Sequence, residues 1–404
     1  MNKRTFLKTS LLSTFLVTTS LLGCNKNSNI QVLDNNTDKL NIIPKQTEVY
    51  QISCPLPFSN NLIDELYELN QTSKKSKITT LYNNIPLPLG KNLTWLQSQH
   101  GRNYSFKTFN QFKDYALYAK EKGFNVCYLF NSPKPFNNND LKTFRKEFEK
   151  VFNLIIESKI TDVKVGNVQT LELLKEYDAN FNNFNITAST CFGFHSLSQF
   201  KNLLENYPNI KLIDISIEEN HNFQFLTNMR KMFPGVKLEV MCDCFCIKGC
   251  PYEIFHLSEY SFCVKNCNKI ASKNHALFSF KSGKIYPWNL EYYSAIGVNN
   301  FKLIGEGQRA RFKDINRIKN YINAIENGID SYNINNFLEA FFGITNSNLS
   351  NSFKLSDIRP YLPDINHFIK YGHLCSTNCN VNCNYCETKA KQLKQFLNEI
   401  GVRV

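Results

Sequence analysis

The 404-residue chain has neither an H-E-x-x-H helix nor a G-x-S-x-G elbow. Two readily legible hydrolytic designs, the zinc peptidase and the serine hydrolase, are therefore missing. No Gly-rich turn follows the first expected strand, which argues against the phosphate cradle of a dinucleotide-binding sheet. The formal net charge is +13, yet there is no dense basic run. The charge reads as a generally basic, solvated surface, compatible with RNA or an acidic membrane face. The apolar stretch Leu11 to Leu22 is too short to span a bilayer. Against these absences stand 42% apolar and 13% aromatic residues, enough for one large folded domain or two ordinary ones. There are also fourteen cysteines.

Short β-branched or aromatic runs alternate with amphipathic helical stretches from residue 47 onward. Strands are expected at "TEVYQISCPL", "KITTLYNN", "FNVCYLF", "DVKVGN", "NITAST", "KLIDISI" and "KLEVMCD". Helices are expected at "NNLIDELYELNQ", Phe109 to Lys122, Asn139 to Ser158, "VQTLELLKEY", "LSQFKNLLENY" and "NFQFLTNMRKMF". So many β-then-α units imply a parallel sheet closed as a (β/α) barrel, of α/β class, with a small cysteine-rich C-terminal extension. Strand ends at Asn131, Asn167, Ser189, Glu218 and the cysteine segment would then share one face, where such barrels carry their chemistry.

The first 24 residues read as a signal segment, with Lys3, Arg4 and Lys8 before the apolar stretch. Leu21-Leu22-Gly23-Cys24 resembles the lipobox of bacterial lipoproteins, which implies a membrane anchor through lipidated Cys24, facing outside the cytoplasm. Lys3-Arg4-Thr5-Phe6-Leu7-Lys8 resembles the twin-arginine export motif with Lys in the first Arg position, and that route carries folded proteins. Residues 25–45 are polar and unpatterned, a tether. Residues 46–330 form the expected barrel domain, and 331–404 a helical extension.

Six cysteines fall between residues 242 and 267. Cys246-x3-Cys250-x12-Cys263-x3-Cys267 is the regular subset, two close pairs able to converge on one centre. A second set, Cys375-x3-Cys379-x3-Cys383-x2-Cys386, places four thiolates within twelve residues. Iron–sulfur ligation is the first reading, as one or two [4Fe-4S] clusters; zinc is the second and disulfides the third. Cys54, Cys127 and Cys191 lie in or just after strands and read as buried apolar thiols. Cys242 and Cys244 could line the site, or replace Cys246 as a ligand. His256 could sit over the loop cluster, and Glu239 and Asp243 could accept hydrogen bonds around it. His195, four residues after Cys191, is the other histidine near a thiol.

"FPGVKLEVMCDCFCIKGC" and "YYSAIGVNNFKLIGEGQRARF" resemble two signature segments of the U32 family, historically called collagenase-like peptidases. "ITDVKVGNVQTLELLKEY" and "NITASTCFGFHSLSQF" fit the units that precede them, so the resemblance covers roughly residues 48 to 330. It implies a barrel holding a [4Fe-4S] cluster, and oxygen-independent hydroxylation of RNA bases or of a quinone ring. On that resemblance Cys250, Cys263 and Cys267 are ligands, with Cys246 the fourth by spacing. Glu306 and Arg309 are candidate site residues, displaced from the family's E-G-R. A membrane quinone or an RNA-type molecule would be the substrate, with an unidentified electron donor. The alternatives are a non-catalytic electron carrier or metal-stabilised binding lipoprotein, and a U32-type peptidase.

Overall fold

A computed structural model describes residues 40–404 apart from 85–107, 133–140, 180, 182, 245, 251–266, 268, 305–314, 345–348, 350–352, 376–378, 380 and 403–404. For 141–144 and 147 it describes the backbone alone. Eight parallel strands follow one another in chain order: β1 (Tyr50–Pro55), β2 (Ser76–Asn83), β3 (Asn125–Phe130), β4 (Asp162–Val165), β5 (Asn185–Ala188), β6 (Ile210–Asp214), β7 (Lys237–Met241) and β8 (Asn300–Lys302). Each pairs with its neighbour in sequence, and β8 pairs with β1, closing the sheet. The chain is a (β/α)8 TIM barrel, as its alternating pattern implies.

Side chains alternate between the two faces of a strand, and here the two faces differ in chemistry. Ile52 and Cys54, Val163 and Val165, Leu238 and Val240, and Phe301 and Leu303 join the large apolar core shared with the surrounding helices. The residues between them, Ser53, Lys164, Glu239 and Lys302, are buried and polar. They point into the barrel. On β2 and β3 the inward set is Tyr82, Cys127 and Leu129, a small apolar cluster separate from the main core.

The helices start where the sequence supplies a cap. Thr108, Asn167, Asn222 and Asn274 each accept a backbone N–H from the third residue beyond them. Ser196 and Gln199 form a reciprocal capping box, which satisfies two otherwise orphaned donors. Strand β8 is not among the seven expected, several strands stop a residue or two before their expected ends, and β6 differs most. The run "KLIDISI" stops as a strand at Asp214, because the Ser216 hydroxyl accepts from Glu218 N and caps a 3₁₀ turn, Ile217–Glu219. Glu218 is therefore a turn residue and not a strand end.

Residues Leu40–Val404 form one compact unit. Beyond β8, the helices Asn316–Asn327, Ile334–Phe342, Ile365–Tyr371 and Tyr385–Glu399 contribute Ile318, Phe337, Phe368 and Leu393 to the same core as the barrel. Among the described residues, no helix is long and apolar enough to cross a membrane.

Candidate functional site

Four charged side chains meet inside the barrel near the carboxyl ends of its strands. Lys164 on β4 donates to Asp214 Oδ1 on β6 and to Glu239 Oε2 on β7, each at 2.7 Å. Lys302 on β8 donates to Asp214 Oδ2 at 3.2 Å. Ser53 Oγ on β1 donates to Glu239 Oε1 at 2.7 Å. Asp214 and Glu239 stand opposite each other in the β6–β7 register. The Lys302 ammonium also lies 4.7 Å from the centre of the Tyr82 ring, close enough for a cation–π contact. All four side chains are at most 7% exposed. Two ammoniums and two carboxylates sum to zero charge, which is how so dry a cluster remains tolerable.

The two carboxyl groups are driven apart in acidity. Burial alone would raise Asp214, but the Lys164 and Lys302 ammoniums outweigh it and hold that carboxyl well below its usual range. Burial raises Glu239 above its ordinary 4.5; Lys164 opposes this and the adjacent Asp214 charge adds to it. Burial would likewise depress Lys164, yet Asp214 and Glu239 keep it above the ordinary lysine value. A carboxyl held strongly acidic beside one whose acidity burial weakens is the arrangement from which acid–base pairs are built. It also has a linkage consequence. A carboxyl whose folded pKa is raised contributes stability that is full below its unfolded value and lost as pH rises through the folded value. Subtracting the urea-unfolding free energy of Glu239→Gln from that of the wild type should therefore give a difference that falls as pH rises above 4.5. A flat difference would mean that Glu239 keeps an ordinary acidity.

The cysteine loop leaves the barrel directly after β7 and is fastened to the segment before β8. Cys242 O accepts from Ile285 N at 2.8 Å, Cys246 O from Gly283 N at 3.2 Å, and Lys281 O from Lys248 N at 3.0 Å. Glu218 Oε1 holds Gly249 N at 2.9 Å, and Asp243 Oδ1 accepts from Ile304 N at 2.6 Å. Cys242 and Cys244 are not equivalent. Cys242 is fully buried in the core, and burial drives its thiol upward, so it packs rather than facing the loop. The Cys246 thiol hydrogen-bonds Cys244 and holds it below the usual thiol range. Cys250 and Cys267 are half-buried. Cys263, which completes that set, lies outside the described residues, as do His256, Glu306, Arg309 and Cys24.

The C-terminal cysteines lie within electrostatic reach of one another. Cys375 and Cys386 each interact electrostatically with Cys379 and Cys383, and a parallel β-bridge joins Cys379 to Cys383. Cys386 Sγ lies 3.6 Å from Phe280 O. Burial, then the Cys379 and Cys375 charges, push its thiol up to about 12. The loop reaches this group through Lys248, whose charge is felt by Cys375 and Cys386 and whose ammonium lies 5.2 Å from the Phe368 ring centre. Its Nζ is sealed from solvent with no hydrogen-bond partner among the described residues, and burial holds this lysine below its ordinary value. An all-sulfur donor set beside an unanswered buried cation is chemically suited to an anionic metal–thiolate centre. As placed, no group of three or more His, Cys, Asp or Glu side chains among the described residues could hold a metal ion.

Sequence reasoning missed Lys164, Asp214 and Lys302, and it assigned Glu239 to the cysteines. In the structure Glu239 faces the barrel interior, bonded to Lys164 and Ser53. The signal was present: Lys164 in "DVKV", Asp214 in "KLIDI" and Lys302 in "NFKL" each stand between apolar residues in a strand or at its end. Cys54, Cys127 and Cys191 are buried free thiols, as expected. Burial pushes Cys191 up to about 11, the reverse of what a cysteine nucleophile needs. His195 Nδ1 instead lies 3.6 Å from Glu219 Oε1.

No family profile matches the chain by sequence, and no curated protein does. The solved structures similar to it include the U32 peptidase Mk0906, at 13% identity and a TM-score of 0.39, covering 67% of this chain and 96% of that one. The N-acetylneuraminate lyase of Fusobacterium nucleatum has 12% identity and a TM-score of 0.33, covering 87% and 98%. The dihydrodipicolinate synthase of Bacteroides thetaiotaomicron has 10% identity and a TM-score of 0.34, covering 90% and 91%. Likeness at this level carries no functional argument. The fold rests on the closed strand pairing.

Proposed function

We propose that this chain is a U32-like iron–sulfur barrel protein that modifies a small molecule or an RNA base, with oxygen-independent hydroxylation as the reaction class. The observation that supports the reading is the nearness of Cys375, Cys379 and Cys386 to one another and to the buried side chain of Lys248, with Cys383 bridged to Cys379. Those four cysteines would hold one cluster. Cys246, Cys250 and Cys267, with Cys263, would hold the other on the loop after β7. A bound iron–sulfur cluster supplies or accepts single electrons at a potential set by burial, net charge and hydrogen bonds to sulfur. The barrel contributes separately. Glu239, whose acidity burial weakens, is the candidate proton-transfer group, and Asp214 stays ionised and fixes both lysines. Ser53 and Lys164 orient the Glu239 carboxyl. The anchor at Cys24 and export of the folded chain belong to the same proposal, which then favours a membrane quinone over RNA as substrate.

Anaerobic purification followed by iron and acid-labile sulfide counts and a visible spectrum tests this directly. Iron and sulfide in equal amounts, lowered by one cluster's worth in Cys379→Ser/Cys383→Ser, is the expected result. Zinc without sulfide would overturn the redox reading and leave a metal-stabilised binding protein in its place.

A further inference from the structure

A second titratable pair stands at the mouth of the barrel, apart from the lysine–carboxylate cluster in its interior. His195 lies between β5 and the helix Leu197–Asn206, and Glu219 in the 3₁₀ turn after β6. Both segments follow the carboxyl ends of strands, the face on which such barrels carry their chemistry. His195 Nδ1 is 3.6 Å from Glu219 Oε1, and the two differ in access: the imidazole side chain is 37% exposed, the carboxylate 9%. Each is held from behind. His195 N donates to Gln199 Oε1 at 3.0 Å, beside the capping box. Glu219 N donates to Ser216 O at 2.9 Å, and Asn222 Nδ2 donates to Glu219 Oε2 at 2.6 Å. Glu218 turns away to Gly249 N, so Glu219 is the carboxylate that serves the imidazole. A carboxylate at Nδ1 favours the tautomer with its proton there, which leaves the Nε2 lone pair to act as a base. Contacts of this kind are often long before a substrate binds and tighten around it. The same turn carries Phe192 and Phe194, half-buried rings with centres 5.2 Å apart.

We propose that His195 is a proton-transfer residue, positioned by Glu219, for a small substrate that carries a hydroxyl on an aromatic ring. In this step the substrate's O–H bond breaks, an N–H bond forms at Nε2, and the negative charge stays on the substrate oxygen. The imidazolium so formed faces the Glu219 carboxylate, which stabilises it. Phe192 and Phe194 offer apolar ring faces in the histidine's own turn, which suit a planar ring better than a sugar. The inference draws on neither the cysteines nor the barrel lysines, so it stands or falls apart from the iron–sulfur reading.

The test uses the full chain and 4-nitrophenol, whose ionised form alone is yellow, in buffer below the phenol's own pKa. Titrating in the wild-type protein should raise the phenolate band until it saturates. His195→Gln, a change at an exposed side chain, should keep the wild-type urea midpoint and abolish the band. Glu219→Gln should still bind the phenol but yield about 10-fold less phenolate, because the imidazolium loses its counter-charge. Glu219→Asp, which keeps the charge but withdraws it by one methylene, should fall between Glu219→Gln and the wild type, and it decides the matter if Glu219→Gln folds poorly. Iron and sulfide contents should be the same in all of these proteins, which separates this result from the cluster test. No band in the wild type, or a wild-type band in His195→Gln, overturns the proposal. A wild-type band in both Glu219 variants overturns the positioning role of Glu219.

Discussion

Asp214→Ala should cost the fold about 3–5 kcal/mol, the range for removing one partner of a buried ion pair. Asp214 is the only described residue to which both barrel lysines donate, at 2.7 and 3.2 Å. Its loss strands one ammonium outright and leaves the other on Glu239 alone. Glu239→Gln should cost less, since Lys164 keeps Asp214 as a partner and an amide of the same shape can keep both contacts. Urea unfolding of the metal-free protein ranks the two. Asp214→Asn combined with Lys302→Met removes one charge of each sign, and should recover part of what Asp214→Asn loses alone, because the sites are in contact and non-additive. An Asp214→Ala loss near about 1 kcal/mol, typical of exposed pairs, would show that water reaches the cluster.

The barrel was legible because its signal is repeated. Val168–Tyr177 and Leu197–Asn206 begin where the sequence places Asn167 and Ser196 as caps, and each strand carries β-branched or aromatic residues between turn signals. The charged cluster was not legible as a cluster. Lys164, Asp214, Glu239 and Lys302 come from four strands spread over more than a hundred residues. Only barrel closure brings them together, and closure is a long-range property that no local window contains. Periodicity nonetheless marked each one: a lone charge inside an apolar strand is either exposed at an edge or pointed into the interior, and a closed barrel has no edge. The cysteines were the opposite case. Spacing marked the tail cysteines as a candidate set, because that pattern is local, and could not divide Cys242 from Cys244, because their difference lies in what packs on the strand end. The whole U32-like site expectation at Glu306, Arg309 and His256 falls outside the described residues.

The second large effect is expected at Gly372, where the tail meets the barrel. Its backbone, at φ −59° and ψ −30°, suits any residue, so the requirement for glycine here is steric alone. A Cβ at this position would lie 1.9 Å from His221 O and 2.9 Å from its carbonyl carbon, backbone that cannot turn aside. His221 is itself immobilised: its Nε2 meets Lys284 O at 2.8 Å and its ring stacks on Phe368. Gly372→Ala must therefore push the Ile365–Tyr371 helix off the barrel, at the upper end of the 1–3 kcal/mol typical of overpacking or beyond it. Gly235→Ala is the control, because nothing lies within 4 Å of its Cβ; it should be near neutral. Phe368 and Tyr385 move with that helix, since Tyr385 accepts from Asp364 N at 2.7 Å and stacks on His367. Displacement would carry Cys375 and Cys386 with it, so Gly372→Ala should lower the thermal midpoint and expose residues 360–390 to protease. If it melts with the Gly235→Ala protein and resists protease equally, the tail is not seated against His221. The thiols would then be brought together by their own spacing rather than by the barrel.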